Sequence, residues 1–457
     1  MNAPLPPLRR GACPALSAPM QTGDGLLVRL NLTEGGISPA TLAALCEAAA
    51  RHGNGIVEIT ARGSFQIRGL TPASAPRLAD AANALAIQVR EGVPVETSPL
   101  AGLDPAEIAD PLPLVRAIRA AIADAALSRR LGPKVSVVID GGGLVLLDDI
   151  AADVRVRAVS ESGWLVSVGG EALGIADGED DAVAAVLSLL AGIAGLGTAA
   201  RGRDLPAAAL AAVANRLGIR PTLPPSVLPD ISPSRGEIGL QSDPRSPCNA
   251  EAWRNRSGRP IPPLVGEMSG RTEGGNVGQI HLGLTALHHD LFTLAIALPF
   301  GQCEAAALAA LATAAPDIAD FRFAPGRRLL ALGSREACGL LNTRAAALGF
   351  VTDPADPRLS VAACPGAPAC ASGHFDAKKL GARVADMLPA GFAGTVHVSG
   401  CPKGCAHPAP AAFALVGTGA GVALVRSGRA ADAPSAVHPN AETALAALRA
   451  ELHKAAA

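Results

Sequence analysis

The sequence carries no surplus of charge of either sign. Across 457 residues, 39 lysines and arginines face 40 aspartates and glutamates, a formal net charge of −1. Without a basic excess, nothing global points to nucleic acid as a partner. An export segment is also missing. Met1–Pro19 is proline-rich and carries Arg9 and Arg10, but it holds no hydrophobic stretch of the signal-peptide kind. The longest uncharged run, Ala182–Ala200, has the length of a membrane span. It is alanine-rich, however, and Ser188, Gly192, Gly195, Gly197 and Thr198 break it up, so it reads as a buried helix entering a glycine-rich turn. No stretch resembles the Gly-x-Gly-x-x-Gly fingerprint of a nicotinamide site. These absences leave a cytoplasmic chain of roughly two to four domains, with no nucleic-acid and no membrane partner.

Nine cysteines are present, and four of them fall into two close pairs. Cys364-Pro-Gly-Ala-Pro-Ala-Cys370 is followed by Cys401-Pro-Lys-Gly-Cys405. Thiolates that hold an inorganic cluster need backbone able to fold tightly around a bulky core. Glycine and proline provide such turns and leave N–H groups to point at the sulfurs. The spacing favours one 4Fe–4S cluster. Zinc remains the alternative, although its knuckles prefer a tighter first pair. Disulfides do not suit a chain that lacks an export signal. Cys13, Cys46, Cys248, Cys303 and Cys338 are scattered, and most of them read as buried thiols.

The rest of the chain reads as a duplication. Leu26–Leu32 alternates as a strand, and Ser38-Pro39 opens a helix that Gly53-Asn54-Gly55 ends. Ile56–Thr60 and Phe65–Gly69 then form a hairpin. Strand, helix and hairpin make half of a ferredoxin-like α+β unit. The outline returns in Leu291–Leu298, the helix through Ala305–Ala314, and the hairpin Phe321–Phe323 with Leu329–Leu332. Gly69 and Gly333 fall at matching places. A second element also repeats: a helix over Leu114–Arg130, then a strand running from Pro133 through Asp140 into Gly141-Gly-Gly143. Its counterpart is the helix Lys379–Leu388, then Gly394–Ser399 into Gly400-Cys401. The expected division is 11–75 for the first ferredoxin-like half, 85–215 for an α/β domain without cluster ligands, 218–263 for a linker, 264–335 for the second half, and 340–430 for the α/β domain with the cysteines.

The pattern Cys-x5-Cys followed by Cys-x3-Cys resembles the cluster motif of the sulfite and nitrite reductase superfamily. The resemblance covers roughly residues 11–215 and 264–430. It implies a duplicated α+β architecture in which two ferredoxin-like halves pair and two cluster-type α/β domains flank an anionic tetrapyrrole. It also implies a 4Fe–4S cluster on Cys364, Cys370, Cys401 and Cys405, with Cys405 bridging to sirohaem iron in the reductases. Thr60, Arg62 and Gln66 match the family's Thr-x-Arg-x-x-x-Gln signature at the macrocycle, with Arg68 beyond it and Arg327 and Arg328 as counterparts in the repeat. Guanidinium forks suit the carboxylate arms of such a ring. The competing reading of this hairpin is a solvated edge strand.

Within the superfamily, the phrases around the cysteines resemble the precorrin-3B synthase branch of aerobic cobalamin biosynthesis. So do Arg10-Gly-Ala-Cys-Pro14, Ser17–Gly25, Ser98–Pro105 and Asp140–Gly143 with Asp148-Asp149-Ile150. The reductases ring their small anion with four basic groups. Two fall here at Arg29 and Lys134, whereas the others fall near Gly92 and at Ser136, which carry no charge. That loss would weaken a reductase, but it would matter little if the tetrapyrrole were the substrate. The branch implies O2-dependent conversion of precorrin-3A, with electrons from NADH through a separate reductase. Arg29, Arg62, Gln66, Arg68 and Lys134 would bind substrate. A mononuclear non-haem iron beside the cluster belongs to the same implication. His288-His289-Asp290 looks like ligand material for it but reads better as a surface turn, and His407 reads as shaping the cysteine loop. No side chain is assigned to O2. The alternatives are a sirohaem sulfite or nitrite reductase and a non-catalytic tetrapyrrole-binding iron–sulfur protein.

Overall fold

A computed structural model describes residues 14–32, 35–87, 89–90, 92–219, 281–288 and 290–456. Cys13, Cys248, His289, most of the linker expected over 218–263 and the start of the half expected from 264 lie outside the described residues.

The first unit comprises β1 (Met20–Thr22), β2 (Gly25–Leu30), α1 (Pro39–His52), β3 (Ile56–Ile59), β4 (Phe65–Leu70) and α2 (Ser74–Ala84). The Ser38 hydroxyl accepts the Thr41 N–H at 3.1 Å and so caps α1, with Pro39 in the first turn. Next come β5 (Val95–Glu96), α3 (Leu112–Asp124), β6 (Val137–Asp140), β7 (Val154–Ala158), β8 (Gly163–Val168), β9 (Glu171–Asp177), α4 (Gly178–Gly195) and α5 (Ala207–Arg216). The uncharged run that has the length of a membrane span lies largely in α4, which buries Val186, Leu189, Leu190 and Ile193 in this unit's core. Among the described residues no helix is long and apolar enough to cross a membrane.

The third unit has β10 (Gly283–Ala286), β11 (Phe292–Ala297), β12 (Gln302–Glu304), α6 (Ala305–Thr313), β13 (Ile318–Ala324), β14 (Arg328–Gly333) and α7 (Arg335–Ala347). The fourth has β15 (Val361–Ala363), α8 (Ala377–Ala385), β16 (Val396–Ser399), β17 (Ala411–Thr418), β18 (Gly421–Gly428), β19 (Ala436–His438) and α9 (Ala441–Ala456).

The first and third units exchange edges. Their sheets run β1-β2-β4-β3-β12 and β10-β11-β14-β13, so β12 joins the sheet of the other unit. Reciprocally, Ile37, just before α1, exchanges two 2.8 Å backbone hydrogen bonds with Phe321 of β13. Phe65 stacks on Phe323 at 4.9 Å, and α1 packs on α6. Leu42, Leu45, Leu308 and Leu311 share one continuous core, each contributing about 1.5–3 kcal/mol by burial.

The second and fourth units repeat one topology. Three parallel strands are followed by two antiparallel ones, in the orders β5-β6-β7-β8-β9 and β15-β16-β17-β18-β19. Helices α3 and α8 make the crossovers that parallel neighbours require. Val95 pairs with Val137 as Val361 pairs with Val396. Counting along the strands from those pairs, Ser98 and Gly142 stand where Cys364 and Cys401 stand in the other copy. The Gly141 carbonyl accepts the Ile108 N–H at 2.8 Å, just as the Gly400 carbonyl accepts the His374 N–H at 2.9 Å. The expected match of Gly69 and Gly333 holds only in sequence: Gly69 is left-handed with φ +70° beside a bulge, whereas Gly333 is not.

Candidate functional site

The loops after β15 and β16 bring the four paired cysteines together. Cys364 and Cys401 are buried, Cys370 is half-buried and Cys405 is exposed. Burial pushes the Cys405 thiol up, and the neighbouring thiols of Cys401, Cys364 and Cys370 push it the same way. The Gly400 N–H points at Cys364 Sγ at 3.1 Å, the kind of bond that stabilises a thiolate ligand. A Cβ on Gly366, which has φ +66°, would lie 2.3 Å from the Phe375 carbonyl oxygen, so only glycine permits this fold of the loop. Donor type, N–H···S bond and glycine-lined backbone all fit a thiolate-held cluster. Among the described residues no three His, Cys, Asp or Glu side chains close in on a single ion.

The basic residues expected at a macrocycle divide into three groups. Arg29, Gln66 and Arg68 belong to one interior network. Arg29 donates to Gln66 Oε1 at 2.6 and 2.9 Å, and Gln66 Nε2 donates to Glu58 at 2.8 Å. Arg68 bridges Glu58 at 3.3 Å and Asp24 at 3.0 Å, and donates to the Ala369 carbonyl, beside Cys370, at 2.7 Å. Lys378 of α8 closes the group, 2.6 Å from both Glu58 and Gln302. Burial pushes the Glu58 carboxyl up, but the charges of Lys378 and Arg68 outweigh it and hold it below the ordinary range. Strand β4 is therefore central and covered, not a solvated edge. Thr60 acts locally, its hydroxyl accepting the Ser64 N–H at 3.0 Å across the hairpin turn.

Arg62, in that turn, is the second group. It pairs with Glu96 at 3.2 Å and also donates to the Ala151 carbonyl. Arg327, in the matching turn of the other half, donates to the Ala406 carbonyl at 2.9 Å. Each turn arginine thus reaches the loop that follows the second strand, β6 or β16, of one α/β unit. Arg328 is buried, and burial pulls its guanidinium down to about 10.

Arg62 also lines a cavity of about 330 Å³ together with Arg90, Arg119 and Arg322, against the carboxylates Glu96 and Asp110. Three of these arginines escaped the sequence reading. Arg90 lies only two residues before Gly92.

Lys134 stands alone, in an exposed turn before β6, and among the described residues it makes no hydrogen bond or ion pair with the other four. Ser136 is buried, its N–H donated to Asp153 at 3.1 Å. His288 and Asp290 are exposed in a turn closed by the Leu291 N–H on the His288 carbonyl at 2.8 Å. His407 lies against the Pro410 carbonyl at 3.3 Å and edge-on to His397, ring centroids 5.8 Å apart. His397 gave no sequence signal because it sits within an apolar strand. It is fully buried, neither ring nitrogen has a partner among the described residues, and burial drives its imidazole down to about 4.

Two paired ferredoxin-like halves and two copies of one α/β unit define the nitrite and sulfite reductase plan. Residues 18–85 match the nitrite/sulfite reductase ferredoxin-like half domain. The structure of the NirA protein of Mycobacterium tuberculosis superposes with a TM-score of 0.61 at 18% identity, over 86% of this chain and 71% of that one. A precorrin-3B synthase of Sinorhizobium sp. is 38% identical over 442 residues, 94% of this chain and 85% of the relative. The chain belongs to the precorrin-3B synthase family.

Proposed function

We propose that this protein is an oxidoreductase that converts precorrin-3A to precorrin-3B in cobalamin biosynthesis, by O2-dependent hydroxylation at C20 coupled to lactone formation from the ring A acetate. The observation that carries this reading is the 38% identity to a precorrin-3B synthase along 94% of the chain. The four-thiol group with its N–H···S bond supports a 4Fe–4S cluster on Cys364, Cys370, Cys401 and Cys405. When bound, that cluster supplies reducing electrons drawn from NADH through a separate reductase.

The chain's own part is to hold a polycarboxylate ring. A cavity of about 330 Å³ is too small for a tetrapyrrole macrocycle but suits its acetate and propionate arms. Arg62, Arg90, Arg119 and Arg322 bind those arms there with guanidinium forks. Arg29 and Gln66 brace the sheet beneath, and exposed Lys134 meets an outer carboxylate. The reading assigns no residue to O2 and no ligands to a non-haem iron. It keeps the division into two ferredoxin-like halves and two α/β domains.

The test is an absorption spectrum of anaerobically purified protein, with iron and acid-labile sulfide counted on the same sample. Broad cluster absorption with four irons and four sulfides per chain is expected of a 4Fe–4S protein. Bound sirohaem would instead make the protein a sulfite or nitrite reductase.

A further inference from the structure

A lysine and a glutamate buried against each other are weak evidence of a stabilising role, since an apolar pair of the same volume often serves as well. The Glu58–Lys378 contact therefore calls for another role. Its side chains are only 7% and 9% exposed, and that of Arg68 is 5% exposed. The group joins four parts of the fold: Asp24 from the β1–β2 turn, Glu58 and Arg68 from β3 and β4, Gln302 from β12 of the other half, and Lys378 from α8 of the cysteine-bearing unit. Two cations, Arg68 and Lys378, meet two anions, Asp24 and Glu58, and Arg29 adds a third cation through Gln66. The group also reaches the cysteine loop directly. The Ala369 carbonyl accepts both Arg68 Nη2 at 2.7 Å and the Gly23 N–H at 3.2 Å, and the next residue is Cys370.

We propose that Glu58, Arg68 and Lys378 are positioning residues for the first cysteine pair. They form a buried ionic hub that seats the Cys364–Cys370 loop on the ferredoxin-like sheet and sets the electrostatic field at the metal group the thiols hold. The inference rests on the cluster reading given above. Local charge and hydrogen bonding are among the levers by which a protein sets a cluster's potential. Removing the Glu58 charge makes the hub more positive and favours the reduced cluster. Removing the Lys378 charge does the opposite.

The experiment compares anaerobic holoprotein with the variants Glu58→Gln, Lys378→Met and the double variant, by iron and sulfide content and by an EPR-monitored redox titration. The midpoint potential should move positive in Glu58→Gln, negative in Lys378→Met, and return close to the starting value in the double variant, which restores the original net charge. Unchanged potentials at full cluster content would overturn the proposal and leave the cluster reading intact. So would shifts of the same sign that simply follow iron loss in all three variants, as a purely structural contact would give. Unsubstituted protein without iron and sulfide would overturn the cluster reading itself, and this inference with it.

Discussion

Arg62 and Glu107 are the residues whose local surroundings give the plainest expectations. Arg62 is partly exposed, pairs with Glu96 and lines the cavity, so Arg62→Ala removes a cation without opening a core. Titration with an octacarboxylate porphyrin should show affinity reduced by roughly tenfold to a hundredfold, the worth of a charged hydrogen bond, with iron and sulfide unchanged. Unaltered affinity would remove Arg62 from the site. Glu107 lies among Asp104, Asp110 and Asp140, in the copy that lacks cysteines. Burial raises its carboxyl to about 7, and those three carboxylates push the same way. A folded value above the unfolded one gives stability that is complete below the ordinary glutamate range and is lost as pH rises toward 7. Glu107→Gln should therefore flatten the stability–pH curve between about 4.5 and 7, and raise stability at pH 8 by roughly 1–2 kcal/mol after screening by water. Chemical denaturation across that range checks it; parallel curves would contradict it. Arg62 was legible because turn arginines in a matched motif stand out. Gln66 and Arg68 stood out in the same motif, but their burial did not, because alternation puts two residues on one face of a strand without saying what covers that face. Here the cover is Lys378, more than three hundred positions away in sequence.

At the scale of elements, the duplicated α/β unit is its own control. Gly142 and Ser98 occupy the positions of Cys401 and Cys364, and that copy keeps the same strand order and the same loop hydrogen bond. Cys401→Ser should therefore abolish cluster and turnover while leaving secondary structure by circular dichroism intact. Full activity in that variant would sink the assignment of the thiols. Both repeats showed in sequence because strands of four to six alternating residues and capped helices carry strong local signals. The exchange of β12 did not. A three-residue strand has no periodicity, and its partner is fixed only by the packing of α1 on α6.

At the scale of the whole molecule, family and architecture agree: two ferredoxin-like halves share an exchanged strand, and one of two topologically equivalent α/β units carries the paired cysteines. Cysteine spacing and motif order made this readable in advance. The cavity was not readable, because Arg62, Arg90, Arg119 and Arg322 come from four separate segments that only the fold brings together. The proposed conversion makes a demand on the product that no carrier or reductase meets. Incubating the holoprotein with precorrin-3A, an NADH-driven reductase and isotopically labelled O2, and weighing the product by mass spectrometry, tests it most directly. The account predicts a hydroxylated lactone that carries one labelled oxygen atom and forms only when O2 is present. Unchanged precorrin-3A in the presence of an intact cluster, or a product free of label, would contradict it.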